Sequence, residues 1–231
     1  PNGALCMRFD IVDFAAFDFY ILRRKGAQWD FPENIVADAK VRFDEMDAAR
    51  KADIVSNVLA GLPGAEESYS TDTFHEVLET YDWVNQDGLR RHLIDFRSEV
   101  VPVAENLGMT LSCHPDDPPF PLLGLPRIMS SEADYGWLIK TMPSSAVGIT
   151  LCSGSLGVRA ENDLPGMMQR LGKHVHFLHL RNVRLETMGE KISFHEAEHL
   201  DGETDMVALI GEILKKEARR SSSIPFRPDH G

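Results

Sequence analysis

Val147-Gly148-Ile149-Thr150-Leu151-Cys152 is an apolar run that halts at Ser153-Gly154. Its length, and the small turn-forming residues that close it, suit a strand buried on both faces better than a helix. Three further runs have the same character: Met109–Cys113, Val175–Leu180 and Ile224–Phe226. Between them lie stretches of helical spacing, about Ser131–Thr141, Asn162–Leu171 and Thr204–Arg220. Strands alternating with amphipathic helices predict right-handed βαβ units and a parallel sheet. Such a series suits the second half of a (β/α)8 TIM barrel, a fold that takes about 250 residues when whole.

Upstream the chain reads as mostly helical. A helical pattern runs from Pro32 to Leu62, with Gly61 to Gly64 as its stop. A short helix is expected from Thr71 to about Tyr81, and a longer one from about Asp87 to Leu107, closed by Gly108. Residues 8–22 are too uniformly apolar for periodicity to choose between buried helix and strand. The Pro-rich loop 115–126 and the polar stretch 183–203 are the nearest things to linkers. Neither divides regions of different composition, so residues 1–231 are expected to form a single catalytic domain.

Composition narrows the function. The chain has 231 residues, with 24 Lys+Arg against 36 Asp+Glu and a formal net charge of −12. A surface this acidic repels phosphate backbones, which argues against nucleic acid as a partner. No apolar run approaches the roughly 18–20 residues needed to span a bilayer, so no membrane association is expected. Cys6, Cys113 and Cys152 cannot build a disulfide framework, and a reducing cytoplasm is the expected compartment. The sequence opens at Pro1 without Met and is expected to be part of a longer protein.

The strand ends carry the chemistry. The four runs lead into Cys113-His114-Pro115, Cys152-Ser153-Gly154, His179-Leu180-Arg181-Asn182 and Arg227-Pro228-Asp229-His230. Ligand sites in parallel α/β proteins form at the carboxyl ends of the strands, where the loops converge. Each end here delivers a metal-competent side chain: His114, Cys152, His179 or Asp229. Two imidazoles, a thiolate and a carboxylate suit zinc, ferrous iron or manganese. Gly154 and Gly157 are expected to let backbone approach a ligand. His230, adjacent to Asp229, is free to act as an acid or base on substrate. His176, three residues before His179, is expected to face the other side of its strand and pack under the helices.

Other groups follow from position and type. Loop 115–126 carries five prolines in twelve residues, which suits a rigid wall. Asp116 and Asp117 on it are either orienting groups or a solvated turn. Arg127, Arg159 and above all Arg181 are candidates to grip a substrate carboxylate in a bidentate fork. Asn182 and His199 join them as substrate-contacting candidates. His195-Glu196-Ala197-Glu198-His199 matches H-E-x-x-H, yet Asp201-Gly202 follows at once and leaves too little helix for a zinc-protease site. These two histidines are expected on a loop over the barrel mouth.

Taken together, these residues resemble the mannonate dehydratases of hexuronate breakdown. The likeness rests on His114-Pro-Asp-Asp-Pro-Pro, Leu123-Gly-Leu-Pro-Arg-Ile, Leu151-Cys-Ser-Gly-Ser-Leu-Gly-Val-Arg and Asn162-Asp-Leu. His179-Leu-Arg-Asn, Phe194-His-Glu-Ala-Glu-His-Leu-Asp-Gly and Arg227-Pro-Asp-His-Gly extend it, as do Arg8-Phe-Asp and Ala60-Gly-Leu-Pro-Gly-Ala-Glu-Glu. The resemblance implies a xylose-isomerase-like TIM barrel that dehydrates D-mannonate to 2-dehydro-3-deoxy-D-gluconate. It also implies Mn2+ or Fe2+, with Zn2+ less favoured, held by His114, Cys152, His179 and Asp229, and His230 as the catalytic histidine. Family members extend before Pro1 and beyond Gly231, so early strands and a C-terminal segment with a catalytic tyrosine are expected outside this chain. Homo-oligomerisation is left open.

Two other readings compete. A metal-dependent aldose–ketose isomerase could use the same barrel, but its sites tend to be carboxylate-rich. A non-catalytic module with a structural zinc would draw its ligands from close pairs rather than four separate strands.

Overall fold

Short polar side chains set the helix starts. Asp10 accepts from the backbone N–H groups of Val12 and Asp13, Ser70 from Thr73, Asn85 from Gly88, Asp163 from Gly166 and Asp205 from Ala208. Ser131 and Asp134 cap one another reciprocally. Each bond satisfies a donor that the first helical turn leaves orphaned. The computed structural model describes residues 5–60, 70–187, 189 and 191–228. In chain order it runs β1 (Arg8–Phe9), α1 (Ile11–Ala16), α2 (Glu33–Glu45), α3 (Ala48–Ala60), α4 (Thr71–Glu79) and α5 (Gln86–Asn106). Then come β2 (Leu111–Cys113), α6 (Glu132–Thr141), β3 (Val147–Cys152), α7 (Ser153–Gly157), α8 (Leu164–Leu171) and β4 (Val175–His179). The chain ends with β5 (Asn182–Leu185), β6 (Phe194–Ala197), α9 (Met206–Glu217) and β7 (Phe226–Arg227).

Strands β2, β3, β4 and β7 form one parallel sheet in that order. The protein is thus α/β with a parallel sheet, and its described residues do not close into a whole barrel. All six residues of β3 are buried, which explains its unbroken apolar run. Val147, Ile149 and Leu151 share a core with Val175, Leu178, Tyr135, Leu138, Met167, Met168, Leu209 and Ile213 from the strands and helices around them. No described helix is long and apolar enough to cross a membrane.

A second sheet, β1-β6-β5, is antiparallel and joins the two ends of the chain through the pairs Arg8↔His195 and Phe9↔Phe194. It belongs to a separate core in which Ile11, Phe14, Phe17 and Phe31 meet Phe120, Leu122, Leu123, Val183 and Phe194. The stretch 183–203, expected as a polar connection, is therefore largely a hairpin. Residues 8–22 are neither a lone helix nor a lone strand: β1 and α1 are followed by a π-helical turn over Phe17–Ile21. The single helix expected over 32–62 is two, because Met46 adopts an extended backbone and Asp47 accepts from Arg50 N (2.8 Å) to start α3. The expected stop at Gly61 to Gly64 lies outside the described residues.

His176 also departs from expectation. The β3–β4 register passes from Ile149↔Val175 to Thr150↔Phe177, so His176 is an extra residue and the simple alternation fails. A Cβ on Gly148 would stand 1.8 Å from the His176 ring, which places that ring over the face Gly148 shares with Thr150 and Cys152.

Asn182 ties the hairpin to α9. It is fully buried; its Nδ2 donates to the carbonyls of His199 (2.8 Å) and Thr204 (3.0 Å), and its Oδ1 accepts from Val183 N (2.9 Å) and Thr204 N (3.1 Å). Gly202 packs on the same amide, where a Cβ would come within 2.3 Å. Replacing Asn182 with Ala would strand these backbone groups out of reach of water, at a cost of about 2–4 kcal/mol. Urea unfolding of the variant should show that loss, and an unchanged midpoint would refute the role.

Candidate metal centre

His114, Cys152 and His179 are brought together by the parallel register. Cys152 and His179 are Cα partners at the ends of β3 and β4, and His114 immediately follows β2 on the other side of β3. Their donor atoms all lie within 4.8 Å of one another. His114 Nε2 stands 3.1 Å from His179 Nδ1, and Cys152 Sγ 3.3 Å from the same nitrogen. His114 Nδ1 is 2.8 Å from the Pro115 carbonyl. A carbonyl can only accept, so that nitrogen carries a proton and Nε2 is the atom turned inward, able to ligate once it carries none. One sulfur and two nitrogens converging in this way fit a divalent metal of borderline softness.

Cys152 is completely buried, and its Sγ also accepts from Ser155 N at 3.4 Å. Burial pushes its thiol up, but hydrogen bonds from His114, His179 and Ser155 outweigh this and bring it down to about 5. Burial opposes charge on His114 too, yet the Cys152 sulfur, the Pro115 carbonyl and the Asp117 charge raise its affinity for a proton. Without metal, both shifts favour the charged forms, a thiolate on Cys152 and a proton on His114. Because the Cys152 value is depressed, the thiolate persists as pH falls from neutrality and is lost only near pH 5. Thiolate ultraviolet absorbance of metal-stripped protein should fall with a midpoint of about 5 and be missing from Cys152→Ala. A midpoint near 8–9 would contradict the arrangement.

The remaining expected site residues have varied surroundings. Arg181 is almost buried, and both terminal nitrogens are engaged: Nη2 with Asp117 Oδ2 (2.6 Å) and Ser155 Oγ (3.4 Å), Nη1 with Glu196 Oε1 (3.3 Å). Its guanidinium lies on Gly154, where a Cβ would meet Nε at 2.1 Å, so an arginine fills the space expected to admit a ligand. Gly157 likewise faces Thr204 and Leu164. Arg159 is paired with Glu161 and donates to the Pro119 carbonyl (3.1 Å), and Arg127 Nε reaches the Phe120 carbonyl (3.4 Å). Both thus brace loop 115–126. Asn182 has its amide consumed internally and offers nothing to a substrate. Asp229 and His230 lie outside the described residues.

The H-E-x-x-H stretch is a strand followed by a turn, so its histidines never acquire i, i+4 geometry. His195 is in β6 rather than on a loop and pairs with Glu186 (2.8 Å). His199 Nε2 lies within hydrogen-bond reach of the carbonyls of Leu180 (2.9 Å) and Pro228 (2.8 Å), pinning the ends of β4 and β7 together. Three residues near the site escaped the sequence reading: Glu196, Ser155 and Tyr135, whose hydroxyl donates to the Cys113 carbonyl (3.2 Å). Glu196 alone had a signal, since alternation on a strand sets it opposite His195.

The model of the D-mannonate dehydratase (UxuA) family matches residues 1–231, the whole chain. This chain belongs to that family. A mannonate dehydratase of Rhizobium meliloti (strain 1021) is 48% identical over 236 residues, covering 100% of this chain and 59% of the relative. Mannonate dehydratase 1 of Agrobacterium fabrum is 49% identical over the same length, with the same coverage of 100% and 59%. The crystal structure of mannonate dehydratase from Streptococcus suis serotype 2 superposes with a TM-score of 0.57 at 32% identity, over 64% of this chain and 41% of that one. The chain thus spans about three fifths of the length of the mannonate dehydratases it matches.

Proposed function

We propose that the full-length protein is a hydro-lyase that dehydrates D-mannonate to 2-dehydro-3-deoxy-D-gluconate in hexuronate catabolism, in a reducing cytoplasm. The observation that carries this reading is the convergence of His114, Cys152 and His179 at the carboxyl ends of parallel strands, in a chain of this family. The parallel run β2-β3-β4-β7 supports a xylose-isomerase-like (β/α)8 barrel, completed by segments beyond this chain.

The metal would be held by His114, Cys152 and His179, with Asp229 as fourth ligand. Mn2+ or Fe2+ suits the task better than Zn2+, since both accept the hard oxygens of a sugar acid beside imidazole and thiolate. When bound, the ion supplies Lewis acidity, which makes the C2 proton of an α-hydroxy acid removable. The protein must then take that proton and protonate the departing C3 hydroxyl, which leaves as water; the resulting enol becomes the 2-keto acid. His230 is the proposed proton donor to the hydroxyl. A colorimetric assay for 2-keto-3-deoxy acid, run on the full-length protein with D-mannonate and Mn2+, Fe2+ or Zn2+ in turn, tests the proposal. No product under any of the three metals would overturn it.

A further inference from the structure

Arg181 stands at the site with a charge balance that changes its expected part. Its two partners are carboxylates of unlike exposure: the Glu196 side chain is 7% exposed and that of Asp117 32%. Glu196 is further fixed by accepting from Met7 N (3.2 Å). With both ends of the fork engaged and Nε buried without a partner, Arg181 has no pair of N–H groups to offer a substrate carboxylate. The trio carries one positive and two negative charges, so it repels an anion. Through Ser155 it reaches the metal-centre sulfur, since Ser155 Oγ is 3.4 Å from both Arg181 Nη2 and Cys152 Sγ.

What this assembly presents to solvent is Asp117. Its carboxylate is the exposed member, Arg181 holds one of its oxygens, and no other hydrogen bond to that side chain forms among the described residues. A fixed, ionised carboxylate accepts hydrogen bonds and rejects other carboxylates. We propose that Asp117 accepts a hydrogen bond from a hydroxyl on the chain of a polyhydroxy acid, and that Arg181 is the positioning residue that aims it. The sugar acid would then lie with its carboxylate away from Asp117 and its polyol tail towards it. This assignment rests on the proposed dehydratase reading and deepens it.

The test is made in the full-length, metal-loaded protein, with Asp117→Ala, Arg181→Lys and the double variant. Asp117→Ala should raise KM for D-mannonate about 10- to 100-fold, the range for a lost hydrogen bond to a charged group. Its kcat should stay within about threefold and its metal content should not change. Lysine is a single point charge and cannot hold Asp117, Glu196 and Ser155 at once, so Arg181→Lys should raise KM similarly. The double variant should then be no worse than either single one, because both act through one contact. Unchanged KM in Asp117→Ala, or a KM effect that multiplies in the double variant, overturns the assignment. So does loss of metal from Asp117→Ala, which would make Asp117 part of the metal's own shell. If the wild-type protein turns over no hexonate, the dehydratase reading falls and takes this with it; if it does and Asp117→Ala matches it, only the assignment falls.

Discussion

Cys152→Ala in the full-length protein should lose its metal on dialysis and lower turnover by about 10³-fold or more. The sulfur is fully buried at the end of β3 and, among the described residues, is the only soft donor grouped with the two imidazoles. Removing it leaves His114, His179 and the proposed ligand Asp229, a set without a thiolate that holds a divalent ion far more weakly. A thousandfold rate loss corresponds to about 4 kcal/mol, within what a Lewis acid contributes to charge developing on a carboxylate. The fold should survive, because alanine vacates little volume and β3 keeps its other buried side chains. Elemental analysis after dialysis, with far-UV circular dichroism as control, reads both halves. Retained metal with native-like turnover would remove Cys152 from the site.

His230→Asn should do the opposite: keep the metal and lose the chemistry. In sequence His230 follows Arg227 by three residues, and Arg227 is the Cα partner of His179 in the β4–β7 pairing. Asparagine approximates the imidazole in size but cannot shuttle a proton, so kcat should drop by about 10²–10⁴ with KM and metal content near wild type. An ionisation near neutrality should vanish from the pH–rate profile, since an unperturbed imidazole titrates at about 6.5. If turnover and profile are unchanged, the proton donor is another group.

The convergence of His114, Cys152 and His179 was legible from sequence because buried parallel strands advertise themselves. Each is a short apolar run, and the residue that ends it faces the converging loops, so His114, Cys152 and His179 could be found without coordinates. The β1-β6-β5 sheet could not. Its strands are two to four residues long, and the pairing Phe9↔Phe194 closes across nearly the whole chain, where no local pattern records it. His176 was misplaced because one extra residue in β4 breaks the period-two rule on which its orientation rested. Arg181 was expected to grip a substrate carboxylate; its pairing with Asp117 and Glu196 left no trace in the sequence, since the partners come from a loop and a strand far apart in it.

The two hydrophobic clusters are expected to open as two cooperative units. Val147, Ile149 and Leu151 pack in one, while Ile11, Phe14 and Phe17 pack in the other with Val183 and Phe194. Strands β3 and β4, which end in Cys152 and His179, belong to the first. Asp117 and Glu196, which grip Arg181, lie on segments whose neighbours Phe120 and Phe194 anchor in the second. Native-state hydrogen exchange should therefore resolve two families of amides, those of β3 and β4 opening independently of those of α1 and β6. A single exchange free energy for both would contradict it. With two families, partial opening of the second unit would slacken the hold on Arg181 while His114, Cys152 and His179 stayed assembled, so substrate affinity would fade on warming before the metal is released.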